Sequence, residues 1–286
     1  MFTSANVFEK NRNDVSREPD FNRLLEILTE IRDFLNELGY LSMGRDMSIL
    51  RRTGVVNSSI ILGSATRTME SIRYCCMNAN FADAYSLLRK FRDDLFYYVY
   101  LFAVADNSDF TQFAEIDDLS IDEKNIWDWI HNKQNDLHIG SVLKYIASHP
   151  KAKTAVQKYN LKDSFDKLAE KLNNYVHSNG YLFYNEPFNW LIQRKKVKEK
   201  CDEFSEAAVF ITVSFLFLVV LIRPLLIMSC DYTDYLDVGA VPPENSQYWV
   251  APFVSDFLSK YKHVLDENCD NYLKEKTGMQ IQQMTQ

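Results

Sequence analysis

Glycine and proline are scarce in this sequence, which has 8 Gly and 7 Pro among 286 residues. No Gly-rich or Ser-rich tract separates one part of the chain from another, so the composition gives no sign of a flexible linker. The five cysteines are odd in number and include no Cys-x-x-Cys pair, which argues against a disulfide framework and against a zinc site. We therefore expect a protein of the reducing cytosol with no metal and no other cofactor.

Phosphate-binding loops and hydrolase nucleophile motifs are also missing. The first 20 residues are polar, which predicts neither a signal peptide nor a membrane anchor at that end. A net charge of −7 argues against a surface that is basic throughout, as a general nucleic-acid-coating protein would have. One local basic cluster remains, RKKVKEK at 194–200, which is typical either of a phosphate-attracting strip or of a solvated helix face.

Apolar side chains recur at helical spacing over most of the chain, and no pair of segments shows the alternation and turn of a β-hairpin. The sequence therefore predicts an all-α fold, with 59–105 forming an antiparallel helical hairpin. The predicted long helices are 21–38, 59–77, 84–105, 163–178, one that begins after Pro187 and ends at 222, and 246–265, with shorter helices at 124–132 and 140–148.

The longest apolar stretch, 207–229, is long enough to cross a bilayer and has basic residues before it and acidic residues after it. That orientation would place residues 1–200 in the cytoplasm. Arg223 and Pro224 interrupt the stretch, however, and a run of about 16 apolar residues is more typical of the central helix of a soluble bundle. The sequence favours a cytoplasmic protein over a single-pass membrane protein.

Two segments resemble a known family. They are the hairpin segment TRTMESIRYCCMNANFADAYSLLRKFRDDLFYYVYL (66–101) and a later helix ending in NNYVHSNG (173–180). Together they resemble the HEPN superfamily of helical-bundle proteins over roughly residues 59–180. Many members of that superfamily are metal-independent endoribonucleases of toxin–antitoxin and phage-defence systems, and they typically act as dimers. The resemblance implies an RNA substrate, a homodimer and a partner protein such as an antitoxin.

The HEPN signature is an Arg followed, after four to six residues, by a His on the same helix. Here His177 holds the histidine position, and Lys171 stands where the Arg is expected. Cleavage through a ribose 2′-hydroxyl needs a group that exchanges a proton near neutral pH and a cation that offsets charge on the phosphate. Arg89 of the hairpin is a second source of that cation, and Asn173, one turn before His177, is a candidate orienting group.

Each of these residues also has a structural interpretation. Arg89 and Asp93 are four residues apart and can form a salt bridge within the bundle, while His177 can simply bond a carbonyl at a helix end. Two functions remain open: an endoribonuclease acting through His177, or a catalytically inactive interaction or sensing module, tethered to a membrane if 207–229 spans one. We expect three segments, an N-terminal helix and connection (1–50), a HEPN-like bundle (51–200), and the apolar helix with a final helix packed on it (201–286).

Overall fold

The computed structural model describes residues 9, 12–14, 16–108, 114–133, 137–177, 179–180 and 194–281, without the side chains of residues 194–196. The expected start of a helix after Pro187 lies outside these ranges. The elements named here are α1 (Pro19–Ser42), β1 (Met47–Leu50), β2 (Gly54–Asn57), α2 (Ser59–Met77), α3 (Phe81–Asn107), α4 (Ile121–Ile130), α5 (Ile139–Ser148), α6 (Lys153–Lys158), α7 (Leu161–Val176), α8 (Arg194–Ile222), α9 (Asp231–Asp237), α10 (Pro252–Tyr261) and α11 (Cys269–Thr277). Short 3₁₀ helices cover Ile116–Asp118, Pro224–Ile227, Ser246–Tyr248 and Lys262–Val264.

The prediction of an all-α fold is confirmed, and its first three long helices pack side by side. α2 and α3 run antiparallel, because Ser64 Oγ donates to Asp94 Oδ2 at 2.9 Å while Lys90 Nζ donates to Thr68 Oγ1 at 3.2 Å. α1 packs against α2. Its core-facing stripe recurs every three or four residues and is fully buried at Phe21, Leu24, Leu28, Ile31, Leu35 and Leu38.

α8 forms the centre of the core. Every residue from Ile211 to Ile222 is buried, as expected of a helix that is apolar on all sides. Phe215 packs on Tyr98 of α3 with ring centroids 5.7 Å apart, and Phe217 packs on Tyr272 of α11 at 6.0 Å. The helix is apolar enough to span a membrane, with a mean hydropathy of 2.4, yet 83% of that apolar window is buried within the fold. The core helix of a soluble protein is buried in the same way.

The expectation that the chain holds no strand pair is wrong for residues 47–57. β1 and β2 pair antiparallel, with Met47 opposite Asn57 and Leu50 opposite Gly54. Along β1, Ser48 and Leu50 are buried while Met47 and Ile49 are exposed, which is the alternation of a half-buried strand. The hairpin closes through a three-residue turn at 51–53, and Gly54, the first residue of β2, has a positive φ. The turn therefore lacks the Asn-Gly or Asp-Gly pair that marks shorter hairpins in a sequence.

The single helix expected over 246–265 is also wrong. The chain forms a 3₁₀ helix at Ser246–Tyr248, becomes extended at Trp249, and begins α10 only at Pro252. Proline favours the first turn of a helix because its missing N–H has no partner there in any case, so Pro252 starts a new helix. α10 ends at Tyr261, and α11 follows at Cys269.

A buried ionic network fastens the hairpin turn to α3 and α4. Arg51 donates to both oxygens of Glu123, at 2.9 Å to Oε1 and 2.8 Å to Oε2. Ser108 Oγ and the Ser120 N–H donate to the same carboxylate at 2.8 and 3.0 Å. These donors, with Arg51 first, lower the pKa of Glu123 to about 2 against the opposing effect of desolvation.

Glu123→Gln is expected to lower the free energy of unfolding by about 2 to 3 kcal/mol at pH 7, because Arg51 then faces a neutral amide in a buried setting. Since the pKa of Glu123 is lower in the folded state than its ordinary 4.5, this contribution is present above pH 4.5 and is lost as the pH falls from about 4.5 to about 2. Urea unfolding of both proteins across that range measures it, and the two curves should converge in acid.

Glu115→Gln is the matched control. Glu115 pairs with Arg52, which follows Arg51 in the same turn, at 3.2 Å, but its side chain is 73% exposed. An exposed pair of this kind contributes less than about 1 kcal/mol. Equal losses from Glu115→Gln and Glu123→Gln would contradict the importance of burial here.

Candidate functional site

α7 carries two of the four predicted site residues, Lys171 and Asn173, and packs antiparallel to α3. Tyr175 stacks on Tyr85 with ring centroids 4.3 Å apart, and Phe165 packs edge-on against Phe96 at 4.6 Å. The C-terminal end of α7 therefore lies level with the first turns of α3. His177 follows directly after α7 at that end.

His177 is the C-cap residue of α7, and its backbone N–H donates to the Asn173 carbonyl at 2.9 Å. Its side chain is exposed and makes no hydrogen bond or ion pair with the described part of the chain. The structure thus places a solvent-facing imidazole at the end of the bundle.

Lys171 pairs with residues of the neighbouring helices. Its Nζ lies 2.7 Å from Glu203 Oε1 of α8 and donates to Tyr85 Oη at 2.9 Å, while the same Nζ lies 4.4 Å from the centre of the Tyr85 ring. A lysine held in this way has its charge offset by Glu203. It ties α7 to α3 and α8, and it is not placed beside His177.

Arg89 is directed away from His177. Its Nε lies 3.9 Å from Asp93 Oδ2, one turn further along α3. Because Tyr85 is level with Tyr175, Arg89 and His177 are offset by about 9 Å along the bundle at 1.5 Å per residue. No hydrogen bond or ion pair joins the two among the described residues.

Arg92, which the sequence interpretation passed over, is the most deeply buried cation in the described ranges. Its side chain is 1% exposed, and Nε and Nη2 donate to Asp93 Oδ1 at 2.8 and 2.6 Å. Its Nη1 is buried without a hydrogen-bond partner. The signal was available in the sequence, because Arg92 lies four residues from both Leu88 and Phe96 and shares their buried face.

Asn173 lies one turn before His177, as predicted, and its carbonyl accepts the His177 N–H. Its side-chain Oδ1 is buried without a hydrogen-bond partner. A desolvated amide oxygen readily accepts a hydrogen bond when a donor approaches. The link that the structure shows between Asn173 and His177 is therefore this backbone hydrogen bond.

The basic cluster of α8 lies at the same end of the bundle. α7 and α8 run antiparallel, because Phe165 packs on Phe210 with centroids 5.0 Å apart and Lys171 pairs with Glu203 at 2.7 Å. His177 lies six residues after Lys171 on α7, so it is level with Val197, which lies six residues before Glu203 on the antiparallel α8. Lys198 follows Val197 and is exposed, with no ion pair in the described chain.

This end of the bundle combines an exposed imidazole with a cation-rich helix. Residues 194–200 contain five basic residues and one acidic residue, Glu199. An imidazole transfers protons near neutral pH, and lysines attract phosphate oxygens. Within the described ranges no group of three or more His, Cys, Asp or Glu residues is arranged to hold a metal ion. The arrangement suits chemistry on a phosphate group by proton transfer.

No protein-family model, no curated protein and no solved structure matches this chain.

Proposed function

We propose that this protein is a HEPN-like, metal-independent endoribonuclease of a bacterial defence or toxin system, with His177 as its proton-transfer group. The observation that carries the proposal is the antiparallel register of α7 and α8, which brings the exposed His177 level with the basic turns of α8. The cation that offsets charge on the scissile phosphate then comes from Lys198 and its neighbours. Lys171 and Arg89 act in positioning, because each is already paired.

The remaining parts of the proposal concern assembly and location. Two copies that meet near the exposed end of α7 would present two His177 side chains to one RNA, which agrees with the dimers of HEPN proteins. A partner protein such as an antitoxin would bind the same end. We place the protein in the cytoplasm, because the one apolar helix long enough to span a membrane among the described residues is largely buried.

Lys198→Glu is expected to weaken RNA binding about tenfold and to reduce the salt dependence of binding, because one phosphate contact is lost and a repulsive charge is added. Fluorescence anisotropy with a labelled single-stranded RNA, recorded between 50 and 200 mM salt, measures both effects. Cleavage of the same RNA is followed on gels.

Lys153→Glu is the control for this charge reversal. Lys153 is an exposed lysine of α6, at the other end of α7, which is about 24 Å long at 1.5 Å per residue. Lys153→Glu changes the net charge by the same amount as Lys198→Glu and leaves the site at the His177 end unaltered. If Lys198→Glu and Lys153→Glu weakened RNA binding equally, the result would contradict a binding site at the His177 end.

A second candidate is a catalytically inactive HEPN-like module that binds a partner protein. It is favoured by a specific observation: Glu203 offsets the charge of Lys171, and Asp93 lies beside Arg89. The same assays separate the two functions. A pure protein that leaves RNA intact and binds it no better than Lys198→Glu does would support the inactive module.

A further inference from the structure

A cavity of about 270 Å³ lies among α5, α6 and α7, away from the His177 end. Its lining is almost entirely apolar and includes Phe96, Leu143, Ile146, Val156, Phe165 and Leu218. Apolar cavity walls offer water few hydrogen-bond partners, and cavities of this type take up apolar molecules instead.

Three charged side chains also line the cavity. Lys144 is exposed and makes no hydrogen bond or ion pair with the described residues. Lys162 and Asp166 also line the cavity, but they pair with each other at 3.2 Å. One uncompensated positive charge therefore remains beside an apolar interior.

The N-terminal end of α7 also lies at the cavity. Leu161 is the first residue of α7 and lines the cavity, and the preceding Asn160 makes no side-chain cap hydrogen bond. The N-terminal end of a helix carries a partial positive charge that favours an anion. Asp163 in the first turn of α7 offsets this partial charge, so Lys144 is the group that attracts an anion.

We infer that this cavity binds an amphipathic monocarboxylate, with its acyl chain inside and its carboxylate at Lys144. The size of the chain follows from the volume. A cavity of about 150 Å³ holds benzene, with its six carbons, so 270 Å³ accommodates about ten carbons. A medium-chain fatty acid such as decanoate fits the volume, the apolar lining and the charge.

Isothermal titration of the full-length protein with decanoate tests this inference, with decanol and decyltrimethylammonium as probes of the head group. We expect one decanoate per chain, bound about tenfold more tightly than decanol, because Lys144 forms a charge-assisted hydrogen bond only with the carboxylate. Decyltrimethylammonium should bind more weakly than decanol.

Variants locate the ligand within the protein. Ala147→Phe fills the cavity and should abolish binding, whereas Lys144→Ala should weaken decanoate binding about tenfold and leave decanol binding unchanged. Lys153→Ala, an exposed lysine of the neighbouring helix, is the control and should bind decanoate normally. If Ala147→Phe does not fold, Gly140→Leu replaces it, since a Cβ at Gly140 meets only His138 Nδ1, at 3.8 Å.

Three results would overturn the inference: no decanoate binding, equal binding of decanoate and decyltrimethylammonium, or undiminished binding by the folded cavity-filling variant. The test is separate from the RNA proposal. Phe165 lies twelve residues from His177, about 18 Å along α7, so His177→Ala should bind decanoate normally.

Discussion

His177→Ala is expected to reduce RNA cleavage by about a hundred- to ten-thousand-fold while leaving the fold and RNA binding nearly unchanged. The imidazole is exposed and makes no hydrogen bond or ion pair with the described residues, so its removal opens no buried cavity and breaks no hydrogen bond among them. Only proton transfer to or from the reacting ribose is lost. Single-turnover cleavage of a labelled RNA measures the rate, and thermal unfolding checks the fold.

His138→Ala is the control for this substitution. His138 is also exposed, but it precedes α5 and follows Leu137, whose carbonyl accepts a hydrogen bond from Tyr97 Oη at 2.8 Å. Tyr97 is twelve residues beyond Tyr85, about 18 Å along α3 from the His177 end. Cleavage should persist in His138→Ala. Cleavage that persists equally in His177→Ala would remove this histidine from the mechanism.

Asp93→Ala is expected to lower the free energy of unfolding by about 3 to 5 kcal/mol. Asp93 accepts two hydrogen bonds from Arg92, whose guanidinium is almost completely buried, and it lies close to Arg89. Removing the carboxylate leaves a buried positive charge with no counter-charge, which is among the most costly changes in a protein interior. Urea unfolding monitored by circular dichroism measures the loss.

Two further variants test the reason for that loss. The double variant Arg92→Met with Asp93→Asn removes both charges and should recover most of the stability lost in Asp93→Ala. Asp166→Ala breaks an ion pair of the same i, i+4 type as Arg89 and Asp93, but its partners are 68% and 62% exposed, so it should cost less than about 1 kcal/mol. If Asp93→Ala costs no more than Asp166→Ala, the buried pair is not important for stability.

The helices whose apolar residues recur without interruption could be predicted from the sequence. α1, α2 and α7 each place one apolar stripe in the core, and α3 is buried on most sides in its second half. The predicted bounds of these four helices differ from the observed ones by four residues or fewer. His177 could be placed at a helix end because Asn179 and Gly180 follow it. Local signals were sufficient for these features.

Features that depend on contacts between distant residues could not be predicted in this way. The common level of His177 and Lys198 along the bundle depends on the packing of Phe165 against Phe210, which no local pattern specifies. The partner of Lys171 lies 32 positions further along the chain, at Glu203, so its pairing was not visible either. β1 and β2 were missed because their turn lacks the usual residue pair.

The central position of α8 has a consequence for synthesis of the protein on the ribosome. α3 ends at Asn107, but the helix that covers it ends only at Ile222. At about 5 to 20 residues per second, translation leaves the apolar face of α3 without that cover for roughly ten seconds. During this interval the nascent chain exposes the surface that chaperones recognise, so folding of this bundle is completed only after its last third has been made.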